Sequence, residues 1–429
     1  MTKDDVMEDA ISDEEMEEDV EENNENTGKK QSAYIPGVSR KLKEGEQLEF
    51  DPEAYKLFQT FETTRPCLSF DVVRDALGDN RSSYPMECYL VAGTQAEKAR
   101  ENEILIMGLK NLRGIEDEDS DSDSEDEAEE DKKAQESKLH AVVIPHHGGV
   151  NRIRVDKLGD SSVVAVWNDQ RKVQLWNITN ALNTSAAMEG DSKTTKLLEE
   201  KPLFTFTGHR QEGYAIAWSP TTKGQLATGD NLKALYIWHM REGGSWVVDN
   251  RTLPGHTGSI EDVQWSPNEN ALLISCSSDG SLRMWDTRST GKDACVCTVE
   301  KAHSSDVNVL SWNAHDSLIV TGGDDALLNI WSLKNIQYGQ PVARFKQHTG
   351  PITSVEWHPT DTTSFIATGE DDQTSIWDVA TEADGAGGDV EVEGVPPQLM
   401  FLHLGQNEIC RAIVISDKKK VSIQGSEYT

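Results

Sequence analysis

Five histidines recur through the chain, and imidazole is a side chain that proteins commonly use for metal binding and proton transfer. They are His147, His209, His256, His303 and His348. The last four are each followed nine residues later by a tryptophan, at Trp218, Trp265, Trp312 and Trp357. A second tryptophan follows each of the five after 28 or 29 residues, at Trp176, Trp238, Trp285, Trp331 and Trp377. None of these histidines has a second candidate ligand at metal-site spacing, so the pattern favours a repeated structural role.

Residues 252–286 show what is repeated. Gly255-His256 opens this stretch, an apolar run lies at 272–274, a Ser-Asp-Gly turn occupies 278–280 and Trp285-Asp286 closes it. This is the pattern of a WD repeat, which forms one four-stranded blade of a β-propeller. One such sheet cannot bury both of its faces alone, so neighbouring blades must stack.

The repeat histidine is expected to share hydrogen bonds with a second-strand hydroxyl, the turn aspartate and the third-strand tryptophan. In two repeats these sets are His256, Ser275, Asp279 and Trp285, and His303, Thr321, Asp325 and Trp331. A buried polar set is stable only when each member is satisfied, so we interpret both tetrads as structural. The turn aspartate is shifted in the first two repeats, at Asp169 and Asp230, and has two candidates in the fifth, Asp371 and Asp372.

The repeats predict an all-β fold, a seven-bladed WD40 propeller with a short N-terminal helix and a disordered acidic arm. We expect the seventh blade to be incomplete, because no Trp-x-Pro and no closing tryptophan follow Glu408. The predicted divisions are the acidic arm at 1–47, the helix and a partial first blade at 48–112, an acidic disordered loop at 113–138, the propeller repeats at 139–408, and an atypical tail at 409–429.

The net charge of −34 is concentrated in three short runs. Residues 1–25 and 115–131 carry −12 each and residues 382–393 carry −5, so the rest of the chain is nearly neutral. Such runs attract basic proteins and repel nucleic acid and anionic membranes, so we expect basic protein partners, with no direct nucleic-acid or membrane binding. Three serines of the second run, each with an acidic residue three positions later, are candidate phosphorylation sites: Ser120, Ser122 and Ser124.

Other chemistry is not indicated by the sequence. There is no phosphate-binding glycine loop, nucleophile elbow or metal-ligand spacing, so we predict neither an enzyme nor a cofactor. The six cysteines contain no CxxC pair, which favours free thiols in a reducing compartment. With no signal peptide and no apolar stretch of membrane-spanning length, we expect an intracellular, soluble monomer.

The N-terminal part carries two further signals. Two basic clusters nine residues apart fit a bipartite nuclear import signal, although they also fit simple charge balance beside an acidic tail. They comprise Lys29, Lys30, Arg40, Lys41 and Lys43. Asp51-Pro52 then predicts a helix start, followed by an amphipathic pattern through residue 61. This helix would pack on the outermost blade, form one wall of a groove, or do both.

Several of these features resemble the histone-binding WD-repeat group, the retinoblastoma-binding and chromatin-assembly subunit class. They are the N-terminal helix, residues 66–70 and 90–94, and the acidic loop ending in Pro396-Pro397. The Glu-rich arm, the serine–acid run and residues 345–348 and 355–359 look closer to a sister branch, the glutamate-rich WD-repeat proteins or regulators of ribosome biosynthesis. The resemblance covers roughly residues 32–408.

The resemblance implies a binding groove, because members of the histone-binding group hold a basic helix between the N-terminal helix and the double-proline loop. Its apolar contacts here would be Tyr55, Phe58, Phe61, Pro396, Pro397, Leu399 and Phe401. Ligand lysines and arginines would be neutralised by Glu391 and Glu393.

The glutamate-rich branch implies a nuclear and nucleolar assembly factor that chaperones a basic large-subunit ribosomal protein. A histone-binding chromatin chaperone is the first alternative. The second is a substrate receptor of a cullin-based ubiquitin ligase, because Trp285-Asp286-Thr287-Arg288 matches the WD-x-R pattern that docks on the ligase adaptor. Asp286 and Arg288 would make that contact, unless they are an ordinary blade end.

Overall fold

The computed structural model describes residues 34–43, 46, 48, 51, 54–75, 81, 83–115, 136–381, 395–404, 411–414 and 422–425. The chain divides into two units, residues 1–41 and 42–429. In the first unit, residues 36–38 form a turn whose closing N–H groups, from Val38 and Ser39, both donate to the carbonyl of Ile35. The strands described below all belong to the second unit.

Blades one to three follow one another along the chain. Blade one contains β1 (Cys67–Val73), β2 (Met86–Thr94), β3 (Asn102–Leu112) and β4 (Lys138–His146). Blade two contains β5 (Val150–Leu158), β6 (Ser161–Asn168), β7 (Lys172–Asn177) and β9 (Phe204–Phe206). Between β7 and β9 lie a helix (Thr179–Ala186) and β8 (Lys193–Lys196), which pairs in parallel with β4 as a fifth strand of blade one. Blade three contains β10 (Ile216–Trp218), β11 (Gln225–Gly229), β12 (Leu235–Met240) and β13 (Trp246–Val248).

Blades four to six are regular antiparallel sheets. Blade four contains β14 (Ile260–Trp265), β15 (Leu272–Ser277), β16 (Leu282–Asp286) and β17 (Cys295–Val299). Blade five contains β18 (Val307–Trp312), β19 (Leu318–Gly323), β20 (Leu328–Ser332) and β21 (Ala343–Phe345). Blade six contains β22 (Ile352–Trp357), β23 (Ser364–Gly369), β24 (Thr374–Asp378) and β25 (Leu399–His403). Short 3-10 turns lie at Ala99–Glu101, Gly291–Ala294 and Ile336–Tyr338.

The all-β WD40 propeller is confirmed, but the part of the chain that is described forms six blades, so the prediction of seven is not confirmed. After β25, the described residues form a two-stranded antiparallel sheet, β26 (Arg411–Val414) and β27 (Ser422–Gly425). Strand β26 neighbours β22 and β23 of blade six and also β1 of blade one. The sequence after Glu408 contains no tryptophan, unlike the five recognisable repeats.

The predicted N-terminal helix is wrong for the residues that the structure describes. Ala54 lies in a 3-10 turn, and residues 55–61 have no regular secondary structure. The carbonyl of Lys56 accepts a hydrogen bond from the N–H of Ile115 at 3.0 Å, whereas a helix would commit that carbonyl to the N–H four residues later. Tertiary contacts therefore override a local pattern that fits a helix.

The apolar cores lie between blades. One cluster combines Leu235 and Ile237 of blade three with Trp265, Leu273 and Trp285 of blade four. Another joins residues of blade four to residues of blade five in the same way. Each sheet is thus covered by its neighbours, as the repeat architecture requires.

Polar side chains join consecutive inner strands. The Gln264 side chain accepts a hydrogen bond from the N–H of Trp312 at 2.7 Å and donates to the carbonyl of Leu310 at 3.1 Å. One blade further on, the Ser311 hydroxyl accepts from the N–H of Trp357 at 3.1 Å. These bonds satisfy inner-strand backbone groups that have no strand partner on that side.

The two expected tetrads are hydrogen-bonded sets. In blade four, the Ser275 hydroxyl lies 2.8 Å from His256 Nε2 and accepts from Trp285 Nε1 at 2.8 Å, while His256 Nδ1 lies 3.1 Å from Asp279 Oδ2. In blade five, the equivalent distances within His303, Thr321, Asp325 and Trp331 are 2.8 to 2.9 Å. Burial would raise the pKa of Asp325, but the hydrogen bond and charge interaction with His303 lower it to about 2.

Blades three and six form the same set with different residues. In blade three, His209 lies 2.9 Å from both Thr228 and Asp230, so the shifted aspartate still closes the set. In blade six, Asp371 is the turn aspartate, 3.0 Å from His348. Ala367 occupies the second-strand position there, and the hydroxyl comes instead from the cross-strand residue, Ser375.

Blade two departs from the repeat. His146 is buried in the place expected for His147, which is exposed. Val166 stands where blades three to five carry a hydroxyl, and Trp176 Nε1 finds no acceptor among the described residues. His146 bonds instead to Gln174 Oε1 at 2.9 Å. The prediction that His147 is the repeat histidine is wrong, because spacing alone does not distinguish two adjacent histidines.

Replacing Ser275 with alanine should leave two buried polar groups unsatisfied, the Nε1–H donor of Trp285 and the Nε2 acceptor of His256. We expect the free energy of unfolding in urea to fall by about 1–3 kcal/mol for each group. Ser275→Thr, which copies Thr321 of blade five, should change it little, and so should Thr290→Ala at an exposed position. Equal unfolding midpoints for the alanine and threonine variants would contradict this account of the tetrad.

Candidate protein-binding site

Residues 54–61, here called the strap, lie against the outer strand of blade six. The Tyr55 ring meets Phe401 edge-on, with 5.4 Å between centroids and 84° between planes. The Tyr55 hydroxyl lies 2.5 Å from His403 Nδ1, and the Phe58 ring centroid lies 6.0 Å from that of His403. Three aromatic side chains and a histidine therefore form one continuous contact between the strap and β25.

Burial fixes the protonation states in this contact. It raises the pKa of Tyr55 and lowers the pKa of His403, so both side chains are neutral near pH 7. A neutral His403 can accept at Nδ1, and the Tyr55 hydroxyl then donates to it. His403 was not among the predicted site residues. Its position two residues after Phe401, on the same face of a strand, is the signal that could have found it.

The structure brings together only some of the residues expected to line a groove. Tyr55, Phe58 and Phe401 meet, whereas Phe61 packs on the core of blade one and Leu399 on that of blade six. Pro396 is half-buried and its carbonyl accepts from the N–H of Leu399 at 3.0 Å, while Pro397 is exposed. Glu391 and Glu393 lie outside the described residues.

The expected groove is closed at Tyr55. An α-helix with its side chains is about 10–12 Å wide. A centroid distance of 5.4 Å between Tyr55 and Phe401 leaves no room for one between these two rings. A helical ligand could lie between them only if the strap moved.

Asp286 and Arg288 form an ion pair at the end of β16. The Arg288 guanidinium donates from Nε to Oδ1 at 2.9 Å and from Nη2 to Oδ2 at 2.6 Å. These hydrogen bonds lower the pKa of Asp286. The Arg288 side chain is 76% exposed, so it is accessible to another protein while it pairs with Asp286.

The predicted import signal and phosphorylation sites lie largely outside the described residues. Arg40, Lys41 and Lys43 are exposed, and Lys29, Lys30, Ser120, Ser122 and Ser124 lie outside the described residues. Within the described ranges there is no cluster of three or more His, Cys, Asp or Glu that could hold a metal ion, and the five cysteines there are free thiols. No helix described is long and apolar enough to cross a membrane.

Comparisons with known proteins agree with this architecture. A family model that describes the histone-binding protein RBBP4 and the corresponding component of the CAF1 complex matches residues 45–113. A second model, described as "WD domain, G-beta repeat", matches residues 248–286, 294–332 and 339–378. The chain is 37% identical over 407 residues, 88% of this chain and 85% of the relative, to Protein HEAT STRESS TOLERANT DWD 1 of Arabidopsis thaliana.

Two further relatives specify the branch. Ribosome assembly protein rrb1 of Schizosaccharomyces pombe is 34% identical over 389 residues, 88% of this chain and 78% of that protein. Glutamate-rich WD repeat-containing protein 1 of Dictyostelium discoideum is 40% identical over 232 residues, 52% of this chain and 46% of that protein. The chain belongs to the glutamate-rich WD-repeat family.

This glutamate-rich WD-repeat protein also carries an unusual carboxyl group on the inner strand of blade six. Glu356 occupies the place that Gln264 and Ser311 hold in blades four and five, immediately before the strand's tryptophan. Burial raises the pKa of Glu356 to about 8. The positive charge of Arg154 lowers this pKa and the negative charge of Asp71 raises it. Aligning the repeats in the sequence identifies the position of Glu356. The burial of its side chain depends on tertiary packing, which the sequence pattern does not show.

Replacing Glu356 with glutamine should stabilise the protein in a pH-dependent way. The folded pKa of about 8 exceeds the ordinary 4.5, so stability contributed by protonated Glu356 is lost as pH rises from 4.5 to 8. Glutamine stays neutral, so the gain in unfolding free energy over the wild type should be larger at pH 8 than at pH 5, measured by urea unfolding. Glu199→Gln, at an exposed position, is the control. The same difference at both pH values would contradict the assignment.

Proposed function

We propose that this protein acts in ribosome assembly as a non-catalytic chaperone that binds and shields a basic large-subunit ribosomal protein, in the nucleus and nucleolus. The observation that supports this most is its 34% identity, over 88% of the chain, to a protein named ribosome assembly protein rrb1. The two acidic runs at 1–25 and 115–131 supply charge of the sign that a basic client needs. Outside these runs and the third run at 382–393 the chain is nearly neutral, so we assign charge screening to the acidic runs and specific binding to the propeller.

We place the client at the side of the propeller, where the strap meets residues 395–401. Tyr55, Phe58 and Phe401 would supply apolar contacts, and Glu391 and Glu393 would pair with client lysines and arginines. Because Tyr55 and Phe401 touch, this site opens only when the strap moves. The proposal also includes a monomeric propeller whose seventh blade has β26 and β27 as its inner half.

Direct competition tests the client. We would immobilise the full chain and offer the large-subunit ribosomal protein conventionally numbered three together with core histones, at ~0.15 M salt, where exposed charges are largely screened beyond about 8 Å. We expect the ribosomal protein to be retained in preference to histones. Variants lacking residues 1–25 or 115–131 should keep that preference, because the folded surface carries specificity.

The other outcomes of this competition are also informative. Preferential capture of histones would overturn the proposed client. If all basic proteins bind equally and this binding is lost when the acidic runs are deleted, the protein is a non-specific polyanion. The folded site would then have no role in client binding.

A histone-binding chromatin chaperone is the first alternative function. The observation in its favour is the match of residues 45–113, which include the strap and most of blade one, to the histone-binding family model. It differs from the main proposal in predicting that a core-histone helix outcompetes segments of the ribosomal protein.

A substrate receptor of a cullin-based ubiquitin ligase is the second alternative, and it is compatible with the first two. It is favoured by the exposed guanidinium of Arg288, which pairs with Asp286 in a WD-x-R motif. Arg288→Ala should weaken binding of the purified ligase adaptor by about tenfold, which corresponds to losing about 1.4 kcal/mol. Arg251→Ala, also at an exposed arginine, is the matched control. If Arg288→Ala binds the adaptor as tightly as the wild type, this function is removed.

A further inference from the structure

We propose that the strap closes the ring of the propeller by joining the outer parts of blade six and blade one. In blades one to six, the outer half of each sheet consists of β-strands. Between blades six and one the described chain offers only the two strands β26 and β27, of which β26 is adjacent to both neighbours. This inference does not depend on the proposed client.

One side of the strap is fixed to blade six. Tyr55 and Phe58 are half-buried, lie 5.1 Å apart between ring centroids, and pack on Phe401 and His403 of β25. The hydrogen bond between the Tyr55 hydroxyl and His403 adds a directional contact to this packing. Edge-on aromatic contacts of this kind are favourable beyond the area that they bury.

The other side of the strap is fixed to blade one. Leu57 and Phe61 pack against the apolar cluster formed by β1 to β4, which includes Phe70 and Leu90. The backbone bond from Ile115 to Lys56 ties the strap to the chain just after β3. Four apolar side chains within seven residues are therefore divided between two blades.

This division explains why the strap is not helical. A helix would gather Phe58 and Phe61, three residues apart, on one face. In the structure they face different blades, which an irregular backbone permits. Among the described residues, the side-chain packing of the strap thereby supplements the two strands between these blades, which reduces the sheet edge exposed there.

Hydrogen exchange of the full chain, followed by mass spectrometry, tests the proposal. The variant Tyr55→Ala, Phe58→Ala removes the contact with blade six, and Lys56→Ala changes an exposed side chain within the same segment as the control. We expect exchange in β25 and in β1 and β2 to accelerate by about tenfold or more, as local opening becomes easier, with blade four unchanged. Lys56→Ala should exchange like the wild type.

A second variant distinguishes ring closure from general destabilisation. Tyr55→Phe keeps the ring but removes the hydroxyl, so it should fold normally and accelerate exchange in β25 by less than the double variant. The proposal is overturned if the double variant leaves β25 and β1 protected. It is also overturned if exchange rises equally in all blades, since the strap would then contribute only overall stability.

Discussion

A sheet with two apolar faces is stable only when another sheet lies against each of them. This constraint accounts for most of the structure. The clusters that bury Trp265 and Trp285 lie between blades three and four, and the Gln264 side chain hydrogen-bonds to the inner strand of blade five. No blade is an independent unit, so another part of the chain must cover any sheet face that has no neighbouring blade. Between blades six and one, the described residues supply the two strands β26 and β27, and we propose that the strap completes the cover.

The tetrads show a second constraint, the cost of leaving a buried polar group without a partner. Blade six satisfies it by moving the hydroxyl to the neighbouring strand, from the place of Ala367 to Ser375. Blade two does not satisfy it fully, because Val166 offers no acceptor to Trp176. In blades three to six, the tryptophan at this position does have an acceptor. We infer that the hydrogen-bonded set contributes to stability, and that a ring of mutually supporting sheets tolerates one exception.

Much of the fold could be predicted from the sequence, because the tryptophan spacing reports strand lengths and turns directly. The same spacing identified the aspartate, the hydroxyl-bearing residue and the histidine of blades four and five. The prediction failed where the contacts of a residue lie far away in the chain. The strap has an amphipathic pattern that fits a helix, yet Phe58 packs on blade six and Phe61 packs on blade one. The contact between Tyr55 and His403 joins residues 348 positions apart. No local pattern contains that information, and the burial of Glu356 is likewise set by neighbouring inner strands.

The central claim is that the strap holds blade six to blade one in the free protein, at the place where we locate the client. The most direct test is photo-cross-linking of the full chain with benzoylphenylalanine in place of Phe58, followed by peptide mapping. The account predicts one dominant adduct, with residues 399–403. Adducts scattered over several blades, or none to that strand, would contradict it.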